Sequence, residues 1–188
     1  MNRKFERVRN LLVFLVILTV AGCSKDYTDV EYIERAKNAQ EKGDLTETII
    51  ELKNAILENP VNAEARWLLG NVYLEISSGE AAEKEFIKAQ ENGWNSTEIQ
   101  IPLIKALLLQ YNFDDALNHV SKANFDDENI FPTISALKGQ AYLGLGQLED
   151  AKEAFEYSLE LDSVQQMAMV GLARIAYIKE TLKLQKNG

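Results

Sequence analysis

Residues 48–89 read TIIELKNAILENPVNAEARWLLGNVYLEISSGEAAEKEFIKA, and this stretch decides the fold. It opens on Thr48/Leu52/Ala55 and closes on Ala82/Phe86/Ala89, the same small–bulky–small spacing 34 residues apart. The set returns as Ala116/Val120/Ala123 and Ala151/Phe155/Ser158, after 34 and 35 residues. A second track keeps step: Ala36, Gly70, Ile104, Gly139 and Ala173, each followed three residues later by Ala39, Tyr73, Leu107, Tyr142 and Ala176. Residues three and four apart share one face of a helix, so each set is an apolar stripe. Small residues let two backbones approach, and bulky ones fill the space beside them. The expectation is an all-α helical solenoid in which each unit is helix A, a turn, helix B and a turn.

Turn chemistry falls where this register needs it. Gly43-Asp44, Ser77-Ser78-Gly79 and Gly146-Gln147 separate helix A from helix B in the first, second and fourth units, and Tyr111 stands at the usual glycine place in the third. Asn59-Pro60 closes the first unit, because a residue before proline leaves the helical region. The units are expected at about 29–62, 63–96, 97–131 and 132–165, followed by a capping helix over 166–188. Pro102 falls inside the third helix A, which is expected to start late or kink there. The segment Asn124–Phe131 carries the one-residue insertion. The last helix is apolar early and polar late, as a cap should be.

Residues 1–22 stand apart from this domain. Arg3, Lys4, Arg7 and Arg9 precede an unbroken apolar run, Leu11–Val20, and then Val20-Ala21-Gly22-Cys23. A basic start, a short apolar run and small residues read as an export signal. The final four residues are similar to a bacterial lipobox, which implies cleavage before a lipidated Cys23 and a short tether over residues 23–28. Cys23 is the sole cysteine, so no intramolecular disulfide can form. Acyl chains contribute about 0.8 kcal/mol per buried CH₂, enough for near-permanent membrane anchoring. The whole chain has a formal net charge of −9, and without residues 1–22 it keeps 16 basic and 28 acidic side chains, or −12. An acidic body disfavours nucleic acid as a partner.

The 34-residue helical pair is the tetratricopeptide signature. More narrowly, ELKNAILENPVNAEARWLLGNVYLE (Glu51–Glu75) and AAEKEFIKAQENG (Ala81–Gly93) resemble the N-terminal repeats of the PEP-CTERM system TPR-repeat lipoproteins, the PrsT-like proteins. The resemblance covers residues 15–95 well and implies a cell-envelope lipoprotein associated with exopolysaccharide production or export and with sorting of PEP-CTERM proteins; Ser24 after the cysteine, rather than aspartate, points to the periplasmic face of the outer membrane. The chain departs from that family in length, with four units and a helix where many repeats are usual. Other implied settings are pilus or outer-membrane assembly, or a polysaccharide-binding module using Trp67, Trp94 and Tyr177.

Tetratricopeptide stacking implies that helix A lines a concave groove. By that resemblance the groove takes Ile33 and Lys37; Trp67, Asn71 and Leu74; Ile101, Lys105 and Leu108; Ala136, Gln140 and Leu143; and Val170, Arg174 and Tyr177. It would suit an apolar segment of a protein or peptide partner, with Trp67 the most exposed anchor. The carboxylate clamp of chaperone-binding relatives would place Lys and Asn where Ile33 and Lys37 stand. No catalytic set is legible. His119 is the only histidine and reads as a helix-surface side chain, so neither a metal site nor a Cys/His pair is expected, and no cofactor. Asp114-Asp115 and Asp126-Asp127-Glu128 sit at helix starts, where carboxylates favour the positive end. Gly144-Leu145-Gly146 lacks a preceding strand, which argues against a nucleotide loop.

Overall fold

The computed structural model describes residues 27–122 and 127–187. Residues 1–22, Cys23 with most of its tether, Ala123 and Asp126 lie outside them. The described residues form nine α-helices and one short 3-10 turn, without strands. The helices are α1 (Asp29–Glu41), α2 (Leu45–Glu58), α3 (Ala63–Glu75), α4 (Gly79–Glu91), α5 (Ser96–Leu109), α6 (Phe113–Lys122), α7 (Phe131–Gly144), α8 (Leu148–Leu161) and α9 (Gln166–Asn187). Odd-numbered helices are A-type and even-numbered ones B-type.

The starts are capped by short polar side chains that accept the free N–H groups of the first turn. Thr28 and Glu31 form a reciprocal capping box. Asp44 accepts from the Glu47 N–H at 2.9 Å, Asn62 from Ala65 at 2.8 Å, and Asn95 from Thr97 at 3.0 Å. Each A-to-B turn needs one residue with positive φ: Gly43 at 75°, Ser77 at 59°, Tyr111 at 61° and Gly146 at 76°. Ser77 and Tyr111 accept a conformation that glycine reaches without strain. Replacing the exposed Ser77 by glycine should therefore stabilise the protein by about 0.5–1 kcal/mol, the relieved strain being partly offset by a freer unfolded chain. A urea midpoint that does not rise would show that the turn carries no strain.

The core is a row of four apolar clusters, each shared by consecutive helices. Ile33, Ala36, Leu52, Ala55 and Leu69 tie α1, α2 and α3 together. Phe86, Ala89, Ile99 and Leu103 join α4 to α5. Ile104, Leu107, Ala116 and Leu137 join α5, α6 and α7. Ala136, Phe155, Ala168 and Ile175 join α7, α8 and α9. The small residues are spacers: a Cβ added to Gly70 would stand 2.6 Å from the Phe86 ring, and one at Gly139 would stand 2.6 Å from the Phe155 ring. Gly79 likewise brings α4 against α5, where an added Cβ would meet the Ala106 carbonyl at 2.7 Å.

Pro102 does not delay its helix, since α5 begins six residues earlier at Ser96 and runs through it. Proline removes the N–H that would bond the Glu98 carbonyl. Glu98 is exposed, so water can satisfy that group, and burial of Ile99, Leu103, Ile104, Ala106 and Leu107 holds the helix.

Polar links set the pitch between units. Asn59 and Asn62 both donate to Asp29, at 2.7 and 2.8 Å, fastening the first inter-unit turn to the start of α1. Lys37 on α1 pairs with Glu64 on α3 at 2.6 Å. Within the fourth unit, Ser158 on α8 donates to the Pro132 carbonyl at the start of α7, at 2.6 Å.

Candidate functional site

The B helices fill the backs of their units, which leaves A-helix side chains and A-to-B turns to line the open faces. One recess formed this way is a cleft of about 550 Å³ between α5, α7 and α9. Leu108 comes from the end of α5, Gln140 and Leu143 from α7, and Met167, Val170 and Arg174 from α9. Tyr111, in the turn after α5, and Phe113, at the start of α6, close one side. Their rings meet edge to face with centroids 6.0 Å apart. Gly144 lets the start of α6 lie against α7, for a Cβ there would stand 2.3 Å from the Phe113 ring. The lining is thus mainly aliphatic and aromatic, with two amides, Gln140 and Gln166, and one charged group, the Arg174 guanidinium.

Of the groove residues expected from sequence, this cleft gathers Leu108, Gln140, Leu143, Val170 and Arg174. The others lie elsewhere. Ile33 is 4% exposed and belongs to the first core cluster, and Ala136 is buried in the fourth, so neither faces a groove. Helix α2 covers that side of α1 through Leu52, which is why Ile33 goes inward. Trp67 is not a free anchor. It is half-buried, and its indole stacks on Trp94 with centroids 5.1 Å apart and planes 22° from parallel. The pair packs on the Phe86 cluster with Leu74, and both indole nitrogens are buried without a hydrogen-bond partner. The chain reverses at Gly93, with φ 91°, and this brings Trp94 back onto α3. Asn71 donates to the Trp67 carbonyl at 2.8 Å, within its own helix. Ile101 is half-buried against the third cluster. Lys37 is held by Glu64, Lys105 is exposed, and Tyr177 is 72% exposed beyond the cleft lining.

Two further polar sites lie outside the cleft lining. His119 is half-buried and its Nε2 lacks a partner, and burial holds its pKa below the usual histidine value. In the first unit Arg35 donates through Nε to the buried Glu51 at 2.9 Å and lies 3.9 Å from Glu47. Hydrogen bonding from Arg35 keeps the Glu51 carboxyl below the ordinary carboxylate range. This pair staples α1 to α2 and lines a recess of about 370 Å³ with Asn38, Lys42, Asp44 and Glu47. Among the described residues no group of three or more His, Cys, Asp or Glu side chains could hold a metal ion. No described helix is long and apolar enough to cross a membrane.

The model of the tetratricopeptide repeat family matches residues 33–97 and 137–184, more than half of the chain. Solved structures similar to it include YrrB, a tetratricopeptide protein described as having an unusual peptide-binding site. The likeness has 20% identity and a TM-score of 0.63, and it covers 84% of this chain and 80% of YrrB. The MamA 41-end fragment from Desulfovibrio magneticus RS-1 is similar at 16% identity and a TM-score of 0.63, over 81% of this chain and 96% of that one. PilF of Pseudomonas aeruginosa is similar at 20% identity and a TM-score of 0.61, over 81% and 69%. At these identities the likeness is one of fold. No curated protein matches the chain.

Proposed function

Because this chain belongs to the tetratricopeptide repeat family, we propose that it is a scaffold holding an apolar segment of a protein partner in the cleft between α5, α7 and α9. The observation that carries this reading is the lining itself. Leu108, Leu143, Met167 and Val170 supply apolar area, Gln140 and Gln166 supply amides that can meet a peptide backbone, and Arg174 supplies one fixed charge. The peptide-binding site ascribed to YrrB supports a peptide occupant. The absence of a legible catalytic set in the sequence supports binding rather than chemistry as its role.

The scaffold works, in this proposal, from a membrane. The basic start, the Leu11–Val20 run and Val20-Ala21-Gly22-Cys23 support a lipidated Cys23 on a bacterial envelope protein, with the repeats held close to the periplasmic face of the outer membrane. The resemblance of residues 51–93 to PrsT-like proteins supports a place in PEP-CTERM-linked exopolysaccharide export.

A photo-crosslinking amino acid at Gln140, inside the cleft, tests the reading against one at Lys53, exposed on α2. One partner should crosslink in cells from position 140 and not from 53. Cys23→Ala should release the protein from the membrane fraction. Equal crosslinking from both positions would remove the cleft from consideration, and a Cys23→Ala variant that stays bound would remove the anchor.

A further inference from the structure

Helix α9 repeats helix A of the preceding units, yet no B helix covers it among the described residues. In α7 the positions Ser135, Ala136, Gly139, Tyr142 and Leu143 are buried or half-buried. The residues one unit later, Met169, Val170, Ala173, Ala176 and Tyr177, are all exposed. Val170, Tyr177 and Leu184 are 68%, 72% and 68% exposed and fall seven residues apart, so they line one side of the helix with Ala173 between them. The inner side, with Ala168, Gly171 and Ile175, is buried against α7 and α8. The outer stripe is thus an apolar face, interrupted by the exposed Glu180 seven residues after Ala173, on a helix whose other face is already used. It adjoins the cleft, sharing Val170 and Arg174 with its rim, and its reading does not depend on the cleft.

Charge and side-chain size together specify what fits. Helix α9 carries Arg174, Lys179, Lys183 and Lys186 against Glu180 alone, on a chain with a formal net charge of −9. Lys179 is engaged by Glu149 at 2.7 Å. Arg174 and Lys183, which flank the stripe, make no ion pair among the described residues. The other A helices show the size rule: Gly70 and Gly139 receive Phe86 and Phe155, whereas Ala36 shares its cluster with Leu52. Ala173 and Ala176 reproduce Ala36 and Ala39. A second copy of α9 would offer alanine to alanine and cation to cation, which leaves a void and a repulsion.

We propose that the outer face of α9 docks an acidic amphipathic helix of another polypeptide, which seats a leucine-sized side chain beside Ala173 and Ala176 and places carboxylates against Arg174 and Lys183. The closest match in kind is a B helix of this chain's own first type, LTETIIELKNAILE over residues 45–58, with three acids, one lysine and Leu52 at its centre.

The test uses that sequence as a probe. A fluorescent peptide of residues 45–58, stapled on its polar face because so short a helix is marginal alone, is titrated with the full chain and followed by anisotropy. Binding should weaken with added salt. It should fall by about tenfold or more with Ala173→Glu, which sets a carboxylate against the acidic helix. Ala173 is exposed, so this variant should keep its helical circular dichroism. A peptide with Leu52→Glu should not bind. Absence of binding by the parent peptide, or binding that Ala173→Glu leaves unchanged, overturns the proposal. Self-association of the full chain that Ala173→Glu abolishes would also overturn it, by assigning the face to a second copy. Crosslinking from Gln140 should survive Ala173→Glu, so failure of either reading leaves the other standing.

Discussion

Phe155→Ala should lower the unfolding free energy by about 3–5 kcal/mol. Phe155 is fully buried, and its ring lies against a glycine on each of the two neighbouring helices. A Cβ on Gly139 would stand 2.6 Å from its ring, and one on Gly171 would stand 2.3 Å from it. A truncated side chain therefore leaves a void walled by backbone on two sides, which cannot be refilled by a rotamer change. The loss should be local in its consequences. In a stacked-repeat protein each unit touches only its neighbours, so α9 should lose hydrogen-exchange protection first while α1–α4 keep theirs. A denaturation curve shifted by less than about 1 kcal/mol would show that the helices close over the void. Uniform loss of protection along the chain would show that the units do not unfold separately.

The period was legible because packing imposes it. A helix pair needs small residues at the crossing and one bulky residue beside them, and that demand repeats at Thr48/Leu52/Ala55, Ala82/Phe86/Ala89 and Ala151/Phe155/Ser158. The all-α repeat fold followed from it. The course of α5 through Pro102 did not, because a local rule about proline cannot weigh five buried apolar residues against one lost hydrogen bond. The site was legible in part. Of the positions counted inward along A helices, Leu108, Gln140, Leu143, Val170 and Arg174 line the candidate cleft. The count missed Tyr111 and Phe113, which reach the cleft from a turn and the helix start after it, and the positive φ at Tyr111 is a tertiary outcome. It misplaced Trp67 because the same count considers helix positions and leaves out the turns between helices. The partner that buries Trp67 is Trp94, 27 positions later, after a glycine reversal. Ile33 failed because it packs into the first cluster beside Leu52 and Leu69 and is 4% exposed.

Glu85→Ala should cost about 3–5 kcal/mol, comparable with the loss of Phe155, although it removes a charged side chain. Its partner Arg66 has a side chain only 10% exposed, and that of Glu85 is 12% exposed. The guanidinium donates to the Glu85 carboxylate at 2.8 Å, and to the Pro60 carbonyl through Nε at 3.1 Å and the second terminal nitrogen at 2.7 Å. Removing Glu85 leaves a cation in a poorly hydrated site with one carbonyl for company. That penalty, more than the attraction lost, sets the size of the effect. Arg66→Met removes the cation instead. It should cost less than Glu85→Ala on the charge side, but it strips the Pro60 carbonyl of both donors and so loosens the turn that carries α2 into α3. In the Arg66→Met background, Glu85→Ala should therefore be nearly silent, giving a coupling of about 3–5 kcal/mol in a double-mutant cycle read by urea denaturation. Equal costs of Glu85→Ala in both backgrounds would mean that the two groups do not sense each other. The 2.8 Å contact would then be an incidental one, and the turn at Pro60 would owe its geometry to the proline and to the Asn59 and Asn62 bonds with Asp29 alone.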